Sequence, residues 1–267
     1  MNSTVTNQDK TTETNVEFDA FWQEILKLRA IVQNTLTRLE EIKILEVGCG
    51  SCSYVLGIRD VRTVKNSQII GIDISEEQLQ RNPILNNRIL GDIQYYDLPE
   101  NEFDLIVCWW ILEHLEYPEK ALIKCQKSLK NNGIFVIAVP NLYSIKGLLT
   151  KLTPHSFYVW FYRNILHYPD AGIDGKPPFQ TFLKTSATLQ FIQKFASKNG
   201  LSVEYACFYE DPKHFKLRQK WGLVGLIWQS IHFVVKILSL GKVEAEMTDY
   251  MLVLKKVSKV SLGSTDI

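Results

Sequence analysis

The sequence predicts an α/β fold, an open and mostly parallel sheet with helices on both faces. Three observations point to it. Short apolar runs rich in β-formers recur at 42–47, 69–72, 89–90, 103–108 and 134–139, too short for helices and apolar enough for buried parallel strands. Helical patterns with their own start and stop signals lie between several of these runs. The runs also end on glycines, carboxylates and aromatics: Gly48 and Gly50, Asp73, Gly91-Asp92, and Trp109-Trp110. Such residues should line one edge of the sheet, the edge where open α/β sheets bind ligands.

Taken in order, residues 1–15 are polar, and disorder is expected there. Apolar residues then recur at Phe18, Phe21, Trp22, Ile25, Leu28, Val32, Leu36 and Leu39, a helical period. That helix should cover the sheet edge or act as a lid. The strand at 42–47 runs into Gly48 and Gly50, which allow a tight turn and bring backbone N–H groups close to a ligand. A short helix is expected over 54–64, its positive end facing that ligand. The second strand ends at Asp73, about 25 residues after Gly48, where an acidic residue binds ribose hydroxyls in nucleoside sites. Ser75-Glu-Glu-Gln78 resembles a capping box, and its helix stops early at Asn82-Pro83. Pro118 opens a clearer helix running to Leu129, before the strand at 134–139.

The alternation breaks after that strand. Residues 141–180 are crowded with aromatics and histidines, among them His155, Trp160, His167 and Tyr168, and end in a turn-rich piece at 169–178. A long segment of this composition is expected to be functional rather than disordered. An amphipathic helix at 188–198 and strands at 201–208 and 248–256 follow, with an apolar helical insertion at 209–241 between the two strands. The tail, 257–267, should be flexible. Residues 16–256 therefore read as one domain.

Thirty basic against twenty-nine acidic residues leave no overall field, so nucleic acid is not an expected partner. The first fifteen residues lack the apolar core of a signal peptide. Cys49-Gly-Ser-Cys52 is formally a Cys-x-x-Cys, but Cys108, Cys125 and Cys207 are isolated. Small residues filling a tight loop is the favoured reading; no metal site and a reducing cytoplasm are expected.

The ordered pieces Glu46-Val-Gly48-Cys-Gly50, Gly71-Ile-Asp73-Ile-Ser75, Gly91-Asp92-Ile93, Phe103 to Trp109 with Leu112-Glu113-His114-Leu115, and Leu129 to Asn141 resemble the class I S-adenosylmethionine-dependent methyltransferases. The resemblance implies a Rossmann-like, seven-stranded, mostly parallel sheet with a last antiparallel strand, and S-adenosyl-L-methionine as cofactor. It implies cofactor-binding roles for Glu46, Gly48, Cys49, Gly50, Asp73, Ile74, Asp92, Ile93 and Trp109. Asp73 would take the ribose, Asp92 the adenine amino group, and Ile93 would pack on the ring. His114 and His155 are the candidate bases, and 141–180 would cap the acceptor. The chain departs from the family at Cys52, where many members carry a third glycine. A dinucleotide-dependent oxidoreductase would want Gly-x-Gly-x-x-Gly, and Ser53 stands in its last place. A cofactor-binding scaffold without catalysis is the other alternative.

The Asn/Asp-Pro-Pro-Tyr tetrapeptide of many amino-methylating enzymes is replaced by Cys108-Trp-Trp-Ile111. The expected acceptor is a small molecule or a lipid-like molecule, methylated on oxygen. Residues 213–241 add basic side chains to an apolar stretch with Trp221 and Trp228. The expectation is one helix over 221–241, with Gln229, His232, Lys236 and Ser239 as its polar stripe, that either packs against the aromatic cap or rests in a membrane surface.

Overall fold

The computed structural model describes residues 7–54, 66–173 and 176–258. Seven strands form one sheet: β1 (Glu41–Val47), β2 (Asn66–Asp73), β3 (Asn87–Leu90), β4 (Phe103–Trp109), β5 (Leu129–Pro140), β6 (Leu201–Tyr209) and β7 (Asp249–Lys256). Their order is β3-β2-β1-β4-β5-β7-β6. β7 runs antiparallel to both β5 and β6, and the remaining pairs are parallel. Every residue of β4 is buried, as a central strand covered on both faces requires.

Alternate side chains of each strand point to opposite faces, and each face has its own core. On one face Leu45, Ile106, Phe135 and Leu252 pack with Leu122 of α3 (Pro118–Ser128) and Ile192 of α6 (Leu189–Lys198). On the other, Ile44, Leu105, Val136 and Val253 pack with Leu28, Val32 and Leu36 of α1 (Asn7–Leu36) and with Leu79 of α2 (Glu76–Arg81). The α1 apolar stripe thus lies across a sheet face rather than over an edge. The helix begins at Asn7, so its first turns overlap the segment expected to be disordered. Residues 1–6, the helix expected at 54–64 beyond Tyr54, and the tail from 259 lie outside the described residues.

Ser75 caps α2 as its sequence suggested, accepting from the Gln78 N–H. The 141–180 segment is not one long loop: it holds α4 (Ile145–Leu152) and α5 (His155–Asn164). Ser144 starts α4 by accepting from the Gly147 N–H. Between β6 and β7 lie two helices, α7 (Pro212–Lys220) and α8 (Gly225–Leu238), bent by 115°. The helix expected over 221–241 is present as α8 but shorter at both ends, and α7 precedes it. Gly222 and Gly225 have φ of +70° and +54°, a left-handed backbone that no helix continues through.

Candidate active site

Strand β1 pairs with β2 on one side and β4 on the other, so the chain reverses its direction of travel across the sheet at that point. The crevice beyond the carboxyl ends of β1 and β4 is where such sheets place ligands. Gly48 donates to the Ile72 carbonyl at 2.7 Å. Gly48 and Gly50 both have positive φ, +62° and +52°. A Cβ on Gly48 would sit 2.1 Å from Ile111 Cδ1, and one on Gly50 2.8 Å from Gln78 Oε1. Neither position can carry a side chain without moving its neighbour.

Carboxylates and one amide hold this loop. Asp73 Oδ2 accepts from the Gly50 N–H and Oδ1 from the Ser75 N–H, each at 2.9 Å. Glu46, 1% exposed, accepts from the Tyr54 N–H at 2.6 Å and from the Ser53 hydroxyl. Asn82 is fully buried and donates to the Cys49 and Gly50 carbonyls at 3.3 and 3.2 Å. The early stop of α2 thus places an amide under the loop, a function that its Asn-Pro sequence did not disclose. Cys49 packs its sulfur toward Gly71, where a Cβ would lie 2.6 Å from Sγ. Burial pushes its thiol up to about 12, so it stays protonated; Cys52 is exposed, and both thiols are free.

Asp92 is engaged by Gln94, whose N–H and side-chain amide donate to its carboxylate at 2.8–3.1 Å. Ile93, expected to face a ring, instead joins the core near Leu45 and Ile72. Ile74 is the open apolar side chain of this wall, 76% exposed. Trp109 is buried and stacked with Tyr54, centroids 6.1 Å apart. Trp110 meets Tyr54 edge-on at 5.8 Å and has φ +56°, a strained conformation for a bulky residue. Sequence reasoning gave Trp109 a cofactor role, placed Trp110 only at the sheet edge, and assigned no site role to Tyr54, Asn82 or Glu113. The adjacent aromatic pair after a buried strand was the one available signal.

Glu113 and His114 lie in the 3-10 turn that follows β4 (Leu112–His114). The Glu113 carbonyl accepts from the Phe182 and Leu183 N–H groups, stitching the end of the long insertion to this turn. Its carboxyl is buried, its Oε2 has no hydrogen-bond partner among the described residues, and burial raises its pKa to about 8. His114 Nδ1 lies 2.7 Å from the Gln180 carbonyl, and Nε2 lies 3.9 Å from Glu113 Oε1. Burial lowers the His114 pKa; Gln180 opposes this, and His155 adds to it. His155 opens α5, so the two candidate histidines are brought within electrostatic reach of each other. Beyond them Lys146 bonds Asp249 at 2.8 Å and Asp211 at 3.3 Å, fastening α4 to the ends of β7 and β6. Burial opposes the Lys146 charge, but Asp249 and Asp211 hold its pKa above the ordinary value.

A glycine turn after β1, a carboxylate at the end of β2 and a sheet closed by an antiparallel β7 define an α/β protein built to hold a nucleoside cofactor. Residues 45–137 match the family model described as a methyltransferase domain, consistent with the class I S-adenosylmethionine-dependent methyltransferase family. The cofactor of that family is S-adenosyl-L-methionine. Over 123 residues the chain is 26% identical to the mitochondrial ubiquinone biosynthesis O-methyltransferase of Saccharomyces cerevisiae, covering 43% of this chain and 39% of that protein. It is 30% identical over 106 residues to an uncharacterised protein of Methanocaldococcus jannaschii, 40% and 44% of the two chains. The chain thus spans less than half the length of these two relatives. A solved structure from Galdieria sulphuraria, described as a candidate sarcosine dimethylglycine methyltransferase, superposes with a TM-score of 0.52 at 16% identity. That match covers 90% of this chain and 87% of the other, and shows a shared fold.

Proposed function

We propose that this chain moves a methyl group from S-adenosyl-L-methionine to the oxygen of a small-molecule or lipid-like acceptor, with His114 as the base. The arrangement of His114 carries the reading. A carbonyl can only accept, so the contact with Gln180 places the proton on Nδ1 and leaves the Nε2 lone pair free. Burial keeps the ring neutral, the state in which a base works. His155, at the start of α5, is the second candidate.

The residues fit the cofactor. A carboxylate offers about four acceptor sites. Gly50 and Ser75 occupy two on Asp73, and the rest would take the ribose hydroxyls. Asp92 would accept from the adenine amino group, Ile74 would give the ring an apolar surface, and Ile93 would support that wall from the core. Gly48, Cys49 and Gly50 shape the backbone, Glu46 holds the loop through Ser53 and Tyr54, and Trp109 packs behind it. When bound, the cofactor supplies a methyl carbon already activated by its sulfonium. The chain's own work is to orient the acceptor hydroxyl, take its proton on His114 Nε2 and keep water out.

In this reading residues 16–256 are the catalytic domain, 141–180 cap the acceptor, and the chain works in the cytoplasm against a membrane surface met through 213–241. The test is turnover on a lipid and metabolite extract traced with labelled methyl groups. His114→Gln should cut turnover by roughly 10²–10⁴-fold, the usual worth of a positioned base, with S-adenosylhomocysteine binding retained in calorimetry. Unchanged turnover in that variant would remove His114 from the chemistry. Absence of S-adenosylhomocysteine binding to the native chain would remove the reading itself.

A further inference from the structure

Helix α8 is packed inside out. Its buried anchor is Trp228, and His232 turns toward the body, 3.5 Å from Glu244 and 3.7 Å from Glu246. The polar stripe expected along one side is thereby divided: His232 faces inward, while Gln229 and Lys236 stay exposed. Leu226, Ile227, Phe233, Val234, Ile237 and Leu238 all point outward, Leu226 and Leu238 about four-fifths exposed at 81% and 79%. A water-facing helix would reverse this arrangement. The bend that presents α8 is built firmly. Arg218 makes two bonds to Glu210, donates to the Leu223 carbonyl, and lies 4.6 Å from the Trp228 ring.

The other insertion repeats the pattern. Leu149 and Leu152 of α4 and Phe157 and Trp160 of α5 are at least half exposed, beside a groove of about 570 Å³ lined by Leu152, Phe157 and Trp160. The two insertions are adjacent. Glu244, on the return from α8, donates to the Tyr143 carbonyl at 2.8 Å and accepts from the Ile145 N–H, and Lys146 reaches Asp211 just before α7.

Charge identifies the occupant. The chain carries 29 acidic residues, yet none falls in 141–169 or 212–243, whose charged side chains are all lysine or arginine. Lys151, Lys213, Lys220, Lys236 and Lys242 are exposed around the apolar faces. A second copy docking on the same surface would set like charges against like. Among the described residues no single helix is long and apolar enough to cross a membrane; the bent pair α7–α8 reaches that length only together, and the strands on either side of it, β6 and β7, pair in one sheet, an arrangement that suits an interfacial position better than a crossing. We propose that α4–α5 and α7–α8 form one platform that docks on an anionic lipid bilayer, beside the 3-10 turn carrying Glu113 and His114. Only the idea that an acceptor enters from that side rests on the methyltransferase reading.

Flotation with vesicles tests it. The purified chain should bind phosphatidylglycerol–phosphatidylcholine vesicles at low salt, and at least tenfold less to phosphatidylcholine alone or in high salt. Leu226→Ser with Leu238→Ser, and separately Leu152→Ser with Trp160→Ser, should each cut binding at least tenfold without lowering the melting temperature. If the native chain stays soluble with anionic vesicles at low salt, or binds neutral vesicles equally, the platform is not a lipid surface. If one double variant binds normally, the two insertions do not act together. A native dimer that the α8 variant converts to monomer would assign the face to a second copy. S-adenosylhomocysteine binding is measured alongside. A chain that binds it but ignores vesicles overturns the platform and the membrane contact through 213–241 but not methyl transfer; one that floats but does not bind it overturns the methyltransferase reading alone.

Discussion

The two ends of the carboxyl edge are built by opposite means. Around β1 and β2 the loop is held by backbone N–H groups on buried carboxylates, with glycines where no side chain fits. Around β5, β6 and β7 the edge is covered by inserted helices with exposed aromatics, apolar side chains and lysines. The first region is held by specific donor–acceptor pairs, from Gly50 and Ser75 to Asp73, from Tyr54 to Glu46 and from Asn82 to the loop carbonyls. The second presents surface rather than geometry, which suits a partner without fixed shape. The difference contrasts two modes of recognition: directional bonds suit a nucleoside cofactor, while area and charge would suit the proposed bilayer contact.

Gly48→Ala should break the first region most severely. Left-handed strain and overlap with Ile111 together cost roughly 2–5 kcal/mol. Cofactor affinity should fall at least 100-fold in calorimetry, with a lowered melting temperature. An unaffected variant would show that the loop does not need its present path.

Glu113 probes the acceptor side through pH. Burial raises its folded pKa from 4.5 to about 8. Between those values the unfolded chain releases a proton that the folded chain keeps, so stability falls as pH rises and levels off above about 8. The whole effect is on the order of a few kcal/mol. Glu113→Gln should flatten this slope in denaturant titrations from pH 5 to 9. A slope that persists unchanged in the variant would place the titrating group elsewhere.

Asp73 gives the smallest effect and the sharpest contrast between regions. Asp73→Ala should weaken S-adenosylhomocysteine binding by roughly 1.5–3 kcal/mol, the net worth of hydrogen bonds to a charged group. It should leave vesicle binding alone. Asp73→Asn, which keeps one acceptor for Gly50, should lose less. Equal affinities for all three chains would take Asp73 out of the site.

Much of this was legible in the sequence because it depends on local chemistry. Apolar runs of strand length, glycines and carboxylates at strand ends, Ser75 before α2 and Pro118 at the start of α3 are each specified by neighbouring residues, and the structure places them as read. The sequence alone also determined the lack of acidic residues over 141–169 and 212–243. Tertiary structure decided the rest. Asn82 became a loop anchor because α2 ends beneath Gly50, and Ile93 went into the core because the turn after β3 faces the sheet. Trp110 takes a left-handed backbone while donating to the Ala138 carbonyl on β5. Helix α8 turned its apolar sides outward because Trp228 and His232 hold its inner face to the body. Periodicity reports that a helix has two faces; which of them meets the protein is settled by contacts between residues distant in the chain.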